Sequence, residues 1–215
     1  GRILAAGGAH TGWSAAWLAL LRARAHDGDG LARAARHTLG QFASPSLLGL
    51  HPPMRPTPRA RAAQCGGCVE RRGAAGEGVF QLDANAGLAA ALAEALLQSH
   101  SAECAVHLLP ALPSPAREPA WRHGTAHGLR ARGGLSVGLD WRDGALTRAA
   151  VQRFAGAGEA AVRVCIAGGG RLRATCDGTE WPVAYEERAT VMRVPRGAIV
   201  ELWPMSEVLP ESPAG

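Results

Sequence analysis

"FQLDANAGLAAALAEALLQSH", residues 80–100, carries the first decision about the fold. From Asn85 onward it is rich in alanine and apolar nearly all round, with Glu94 as its acidic interruption. That is the pattern of a helix buried among other helices. The polar residues Gln81, Asp83 and Asn85 stand at its mouth, two positions apart.

Working upstream, "WSAAWLALLRARAH" (13–26) puts Trp13, Trp17, Leu20 and Leu21 on one helical face. After the turn "DGDG", the segment "DGLARAARHTLGQF" repeats the pattern with Leu31, Ala34, Ala35 and Leu39. Two helices joined by a short Asp/Gly turn predict an αα-hairpin. Between Ser44 and Gly78 periodicity stops, and prolines 45, 52, 53, 56 and 58 forbid a long helix. The Arg- and Gly-rich part, 54–78, reads as an exposed insertion.

Working downstream, the period changes from 3.6 to 2. "GGLSVGLDW" alternates Leu135, Val137, Leu139 and Trp141 toward one face, as a half-buried strand does. "RDG" reads as a turn, followed by strands in "ALTRAAVQRF" and "EAAVRVCI" and at 171–176, 189–194 and 198–203. The expected fold class is therefore α+β. A helical part spans 1–113, an antiparallel β part spans 114–215, and the boundary region is Pro113–Trp121.

Composition narrows the function classes. The 215 residues are 47% hydrophobic and 19% charged, which excludes a disordered chain and permits a sizeable core. No apolar run reaches the length of a membrane span, since "WSAAWLALL" is stopped by Arg22. The formal charge is +5 and all 23 basic residues are arginine. They are dispersed rather than clustered and aromatic residues make up only 5%, so no nucleic-acid partner is expected. The five cysteines form no regular framework, and the lone Cys65/Cys68 pair lacks the further ligands of a structural zinc site. Neither a metal nor a cofactor is expected. The chain starts at Gly1 without Met, and the expectation is a piece of a longer protein.

Asp83 and Asn85 have two readings. Asp and Asn are favoured helix N-caps, and a carboxylate in the first turn gains about 0.3–1 kcal/mol from the helix dipole. One residue suffices to cap one helix, which leaves the other polar group for different work. His51 in "LGLHPP" is either a hydrogen-bonded loop residue or a contact for a ligand. His10, Trp13 and Trp17 in "HTGWSAAW" are either core residues or a stacking platform. Glu94 and Gln98 read as an internal pair or as support for a site.

Taken in order, "HTGWSAAW", "LLGLHPP", "FQLDANAG", "AEALLQSH" and "GLRARGGLSVGLDWRDG" resemble the C-terminal part of glycoside hydrolase family 95, over about residues 7–165. This family contains α-L-fucosidases and some α-galactosidases. The resemblance implies the last helices of an (α/α)6 barrel followed by an antiparallel β-sandwich-like domain. It implies an inverting hydrolase, in which an acid protonates the glycosidic oxygen while water attacks from the opposite face. Asp83, matching the aspartate of the "FQ-x-D-x-N" motif, would polarise the asparagines that hold that water. His51 of "HPP" would contact sugar hydroxyls, with Asn85 and Trp13 as further substrate contacts, and a fucosylated glycan would be the partner. Such a substrate favours a secreted, vacuolar or lysosomal protein. Three departures stand out. Residues 54–78 separate "HPP" from "FQ", Ala86 replaces an aromatic residue, and no stretch of this chain matches the family's acid glutamate or water-holding asparagines. A carbohydrate-binding protein without catalysis is the rival reading.

Overall fold

The computed structural model describes residues 8–51, 79–101, 105–156 and 158–205. The expected insertion at 54–78, with Cys65 and Cys68, lies outside the described residues. The chain divides into two units, one of Gly1–Leu96 with Pro110–Trp121 and one of Leu97–Leu109 with Arg122–Gly215. The expected boundary at 113/114 thus falls inside Pro110–Trp121, a segment that belongs to the helical unit.

The helical unit contains α1 (Gly12–Arg24), α2 (Gly28–Phe42), the short strands β1 (Leu50–His51) and β2 (Val79–Phe80), and α3 (Leu82–Leu96). A capping box starts α1. The Ser14 N–H donates to Thr11 Oγ1, and the Thr11 N–H donates back to Ser14 Oγ. Asp27 caps α2 by accepting the Gly30 N–H at 2.8 Å. Gly28 opens α2 where the backbone of the returning segment passes. A Cβ there would stand 2.5 Å from the Leu112 carbonyl oxygen, and backbone cannot yield as a side chain can.

The packing surface of α1 is not the tryptophan face that the periodicity suggests. Trp13 and Trp17 are 49% and 51% exposed, and the buried residues are Ala15, Ala16, Ala19 and Ala23 with Leu18. Ala15, Leu18, Ala19 and Ala23 meet Leu31, Ala34 and Phe42 of α2 and Ala91 and Ala95 of α3 in one apolar cluster, and Ala16 packs with Ala35 and Leu88 in a second. Alanine faces let helix backbones approach closely, and dispersion between many near atoms replaces the bulk that large side chains would bring. Helix α3 is likewise only half buried. Ala84, Leu88, Ala91 and Ala95 are buried while Ala86, Ala89 and Ala90 are exposed. It ends at Leu96, and Leu97–Gln98 continue as a strand instead of a last helical turn. Glu94 takes a two-pronged contact from Arg24 at 2.7 Å on both nitrogens. With both side chains partly in solvent, that pair contributes about 0.2–1 kcal/mol.

The β unit holds β3 (Leu97–Gln98), β4 (Val106–Leu108), β5 (His123–Ala131), β6 (Leu135–Arg142), β7 (Ala145–Arg153), β8 (Glu159–Ile166), β9 (Leu172–Cys176), β10 (Thr179–Trp181), β11 (Val183–Glu186), β12 (Ala189–Pro195) and β13 (Ile199–Pro204). They form a six-stranded sheet in the order β10-β9-β13-β7-β6-β5 and a five-stranded sheet in the order β11-β12-β8-β4-β3. Leu135, Val137, Leu139 and Trp141 are all buried, as their alternation requires. Asp143–Gly144 and Asp177–Gly178 have positive φ at both residues and close tight hairpins. The unit is not wholly antiparallel, because β4 pairs with β8 in parallel register, Val106 opposite Val164. Across the sheets, the Leu172 N–H donates to Thr190 Oγ1, satisfying a buried hydroxyl. Cys165 is held in a disulfide, whereas Cys176 is a free thiol. No helix among the described residues is long and apolar enough to cross a membrane.

Candidate functional site

His51, Gln81, Asp83 and Asn85 lie on neighbouring segments at one end of the helical unit. Strands β1 and β2 pair antiparallel, Leu50 with Phe80 and His51 with Val79. The Gln81 N–H extends this pairing to the Gly49 carbonyl at 2.8 Å. The described residues on either side of 52–78 therefore meet, and His51 lies beside the "FQ-x-D" segment despite the residues between them. The end of α2 joins them through an antiparallel bridge between Ala43 and Gly49. The start of α1 closes the group, where a Cβ on Gly12 would stand 2.8 Å from Gln81 Oε1 and 3.0 Å from the Ala84 Cβ.

Each residue now has a place. Asp83 stands exposed in the first turn of α3, and its Oδ1 accepts the Ala84 N–H at 3.0 Å. Asn85 braces the loop before β1. Its Oδ1 accepts the Gly49 N–H at 2.6 Å, and its Nδ2 donates to the Leu47 carbonyl at 2.8 Å. Both ends of the Asn85 amide are thus engaged with backbone 36 and 38 residues away. Trp13 is the second residue of α1, beside Gly12, and is half exposed. His51 sits on β1 with a buried Nδ1 that meets no hydrogen-bond partner among the described residues. Gln81 Oε1 and Gln41 Oε1 are in the same condition.

Buried polar atoms without partners cost about 1–3 kcal/mol each, and a cluster of them in one place marks groups kept for something else to bond. Here an exposed carboxylate, Asp83, and the Gln81 carboxamide lie on the segment whose start pairs with the strand carrying His51. That set can bond several hydroxyls of a polyol and can polarise a neighbouring donor. Gln81 and Gln41 were not among the expected site residues. Gln81 is part of the "FQ-x-D" motif itself, whereas Gln41 ends an ordinary amphipathic helix and carries no local signal. Among the described residues no three of His, Cys, Asp and Glu are placed to hold a metal ion.

Asn85→Ala should leave the Gly49 N–H and the Leu47 carbonyl without partners, at a cost of about 1–3 kcal/mol. Amide hydrogen exchange at Gly49 should then be faster in the variant. Unchanged protection would mean that the amide does not hold the loop.

The sequence pattern of the glycosyl hydrolase family 95 catalytic domain matches residues 2–96, and that of the family 95 C-terminal domain matches residues 98–194. The two meet where α3 gives way to β3. Among curated proteins, alpha-L-fucosidase 2 of Arabidopsis thaliana is 36% identical over 148 residues, which cover 63% of this chain and 14% of that protein. The chain thus spans a small part of that relative's length. Among solved structures, a family 39 glycoside hydrolase from the gut symbiont Bacteroides cellulosilyticus WH2 is 18% identical over 45% of this chain and 21% of its own. Its TM-score of 0.31 is too low to bear on the fold.

Proposed function

The chain belongs to glycoside hydrolase family 95, and on that premise we propose that it is the C-terminal part of an inverting α-L-fucosidase acting on terminal α-fucosyl linkages of glycans. The observation that carries this reading is the pairing of β1 with β2, which sets His51 and the "FQ-x-D" segment side by side. In the proposed mechanism an upstream acid protonates the leaving oxygen while water attacks the opposite face of the sugar. Asp83 acts as a positioning residue, polarising the upstream asparagines that hold this water. His51, Gln81 and the exposed Trp13 take the sugar. Its hydroxyls satisfy the histidine nitrogen and the amide oxygen, and the indole lies against its apolar side.

The structure of the helical unit is compatible with the end of an (α/α)6 barrel whose other helices lie upstream. A fucosylated glycan is the proposed partner. The proposed location is secreted, vacuolar or lysosomal, which the disulfide at Cys165 supports because such bonds persist in oxidising compartments.

The 215-residue chain by itself is expected to show no turnover of an aryl α-L-fucoside, since inverting hydrolysis needs both an acid and a positioned water. Restoring the upstream reading frame should restore activity. Measurable hydrolysis by the pure chain would overturn these roles.

A further inference from the structure

The outward face of the six-stranded sheet carries a second constellation, separate from the helical site. Apart from Arg153, the inward residues on β6, β7 and β13 are apolar and buried, so Gly138, Asp140, Arg148, Ala150, Glu201 and Trp203 turn to the other face. Register puts Gly138, Ala150 and Glu201 in one row across three strands. Two of these three positions have no side chain larger than a methyl group, which makes a flat floor.

Fixed polar groups surround this floor. A bulge between Ala126 and Leu129 interrupts the edge strand β5, with Gly128 at φ 72°. Bulges re-aim side chains, and this one brings His127 over Gly138, its Nδ1 3.1 Å from where a Cβ would stand. Thr125 Oγ1 donates to Asp140 Oδ1 at 2.7 Å and meets His127 Nε2 at 3.0 Å. The hydroxyl proton is spent on the carboxylate, so Nε2 must donate to the hydroxyl. In the neutral ring Nδ1 is left as an acceptor over the floor. Arg148 continues the chain, donating to Asp140 Oδ2 at 3.2 Å and to Glu201. The Thr125 hydroxyl does most to hold the Asp140 carboxyl below its usual range; burial opposes it, and the Arg148 guanidinium adds to the lowering. At the far side the Trp203 ring lies between the guanidinium groups of Arg148 and Arg173, at 5.8 and 5.7 Å.

We propose that this face is an accessory binding site for a neutral oligosaccharide of two or three rings. Around the floor itself Asp140 and Glu201 balance Arg148 and Arg173 in charge, so this spot selects neither a polyanion nor a polycation. What remains is a dense set of pre-oriented donors and acceptors beside an indole, the combination that suits hydroxyls and the apolar face of a sugar. From β5 to β13 the sheet advances three strand spacings, about 14 Å, which matches a di- or trisaccharide. The choice of ligand class rests on the glycoside hydrolase reading, while the geometry involves none of the residues of the helical site.

The test is an NMR titration of the isotopically labelled 215-residue chain with 2′-fucosyllactose, lactose and xylotriose. Saturable shifts are expected at Gly138, Ala150 and the Trp203 indole N–H with at least one probe. Ala150→Arg, which plants a long side chain on the floor, and Trp203→Leu should each weaken binding by about tenfold or more. Melting curves should show that Ala150→Arg leaves the fold intact, and Ala150→Ser should keep full affinity. Absence of saturable shifts on this face with all three probes, or full affinity in a folded Ala150→Arg, would overturn the proposal. Shifts confined to the helical unit would also overturn it while supporting the helical site. Asp83→Asn should leave sheet binding unchanged, so failure of the fucosidase reading stays separable from failure of this one.

Discussion

Asp83→Asn in the full-length enzyme should lower kcat by about 10²–10⁴, the usual size of a contribution to acid–base and water activation. Its melting temperature should stay within a few degrees. The two halves of this expectation come from different properties of one residue. As part of the first turn, Asp83 accepts the Ala84 N–H, and an asparagine oxygen can do the same. The change also removes a carboxylate beside the start of a helix, which costs at most about 0.3–1 kcal/mol at an exposed site. As a polarising group, by contrast, the carboxylate needs its negative charge, and an amide does not supply it. A capping residue alone would leave kcat near the wild-type value. Kinetics and a melting curve on this variant thus decide between the readings. Asn85→Ala provides the comparison, since its expected loss falls on the loop that carries His51.

Phe42→Ala should destabilise the helical unit by about 3–5 kcal/mol, the range for deleting a fully buried aromatic side chain. Phe42 is 1% exposed and closes α2 against the start of α1, and the His37 ring meets it edge-on at 5.6 Å between centroids. Its Cβ lies 3.4 Å from the position a Cβ would take on Gly12, so the neighbouring backbone is already in contact and cannot collapse far into a void. Against a total stability of about 5–15 kcal/mol, the loss is large enough to move a urea midpoint clearly. Phe42→Leu, which keeps most of the volume, should lose only about 1–1.5 kcal/mol. A Phe42→Ala midpoint close to wild type would show that the core of this unit lies elsewhere.

Much of the β unit is legible along the chain. Strands β6, β7, β8, β9, β12 and β13 follow their alternation, and the Asp–Gly turns after Arg142 and Cys176 accept positive φ at low cost. Strand β5 escapes this reading. It is an edge strand whose residues are mostly exposed, so no apolar alternation marks it. In the helical unit the positions of α1 and α2 are legible, but the buried face of α1 is not. Periodicity locates two apolar stripes, one of tryptophan and leucine and one of alanine. Hydrophobicity alone ranks the first as the core, yet close helix approach selects the second.

The candidate site divides in the same way. The motifs around His51 and Asp83 can be read directly, and they name the family. The local pattern also allows a helix start at Gln81–Asn85, which the structure has. The sequence by itself thus determined most of the longer elements, the Asp–Gly turns, and the residues able to do chemistry, because these depend on side chains a few positions apart. The tertiary structure alone decided that Asn85 braces Leu47 and Gly49 across 38 and 36 residues. It also decided that β1 meets β2 across the insertion, that β4 runs parallel to β8, and that the amide oxygens of Gln41 and Gln81 are buried. These pairings join segments far apart in the chain. Which segments meet is settled by the packing of whole faces and by the need of every buried polar group for a partner, and no local period encodes either.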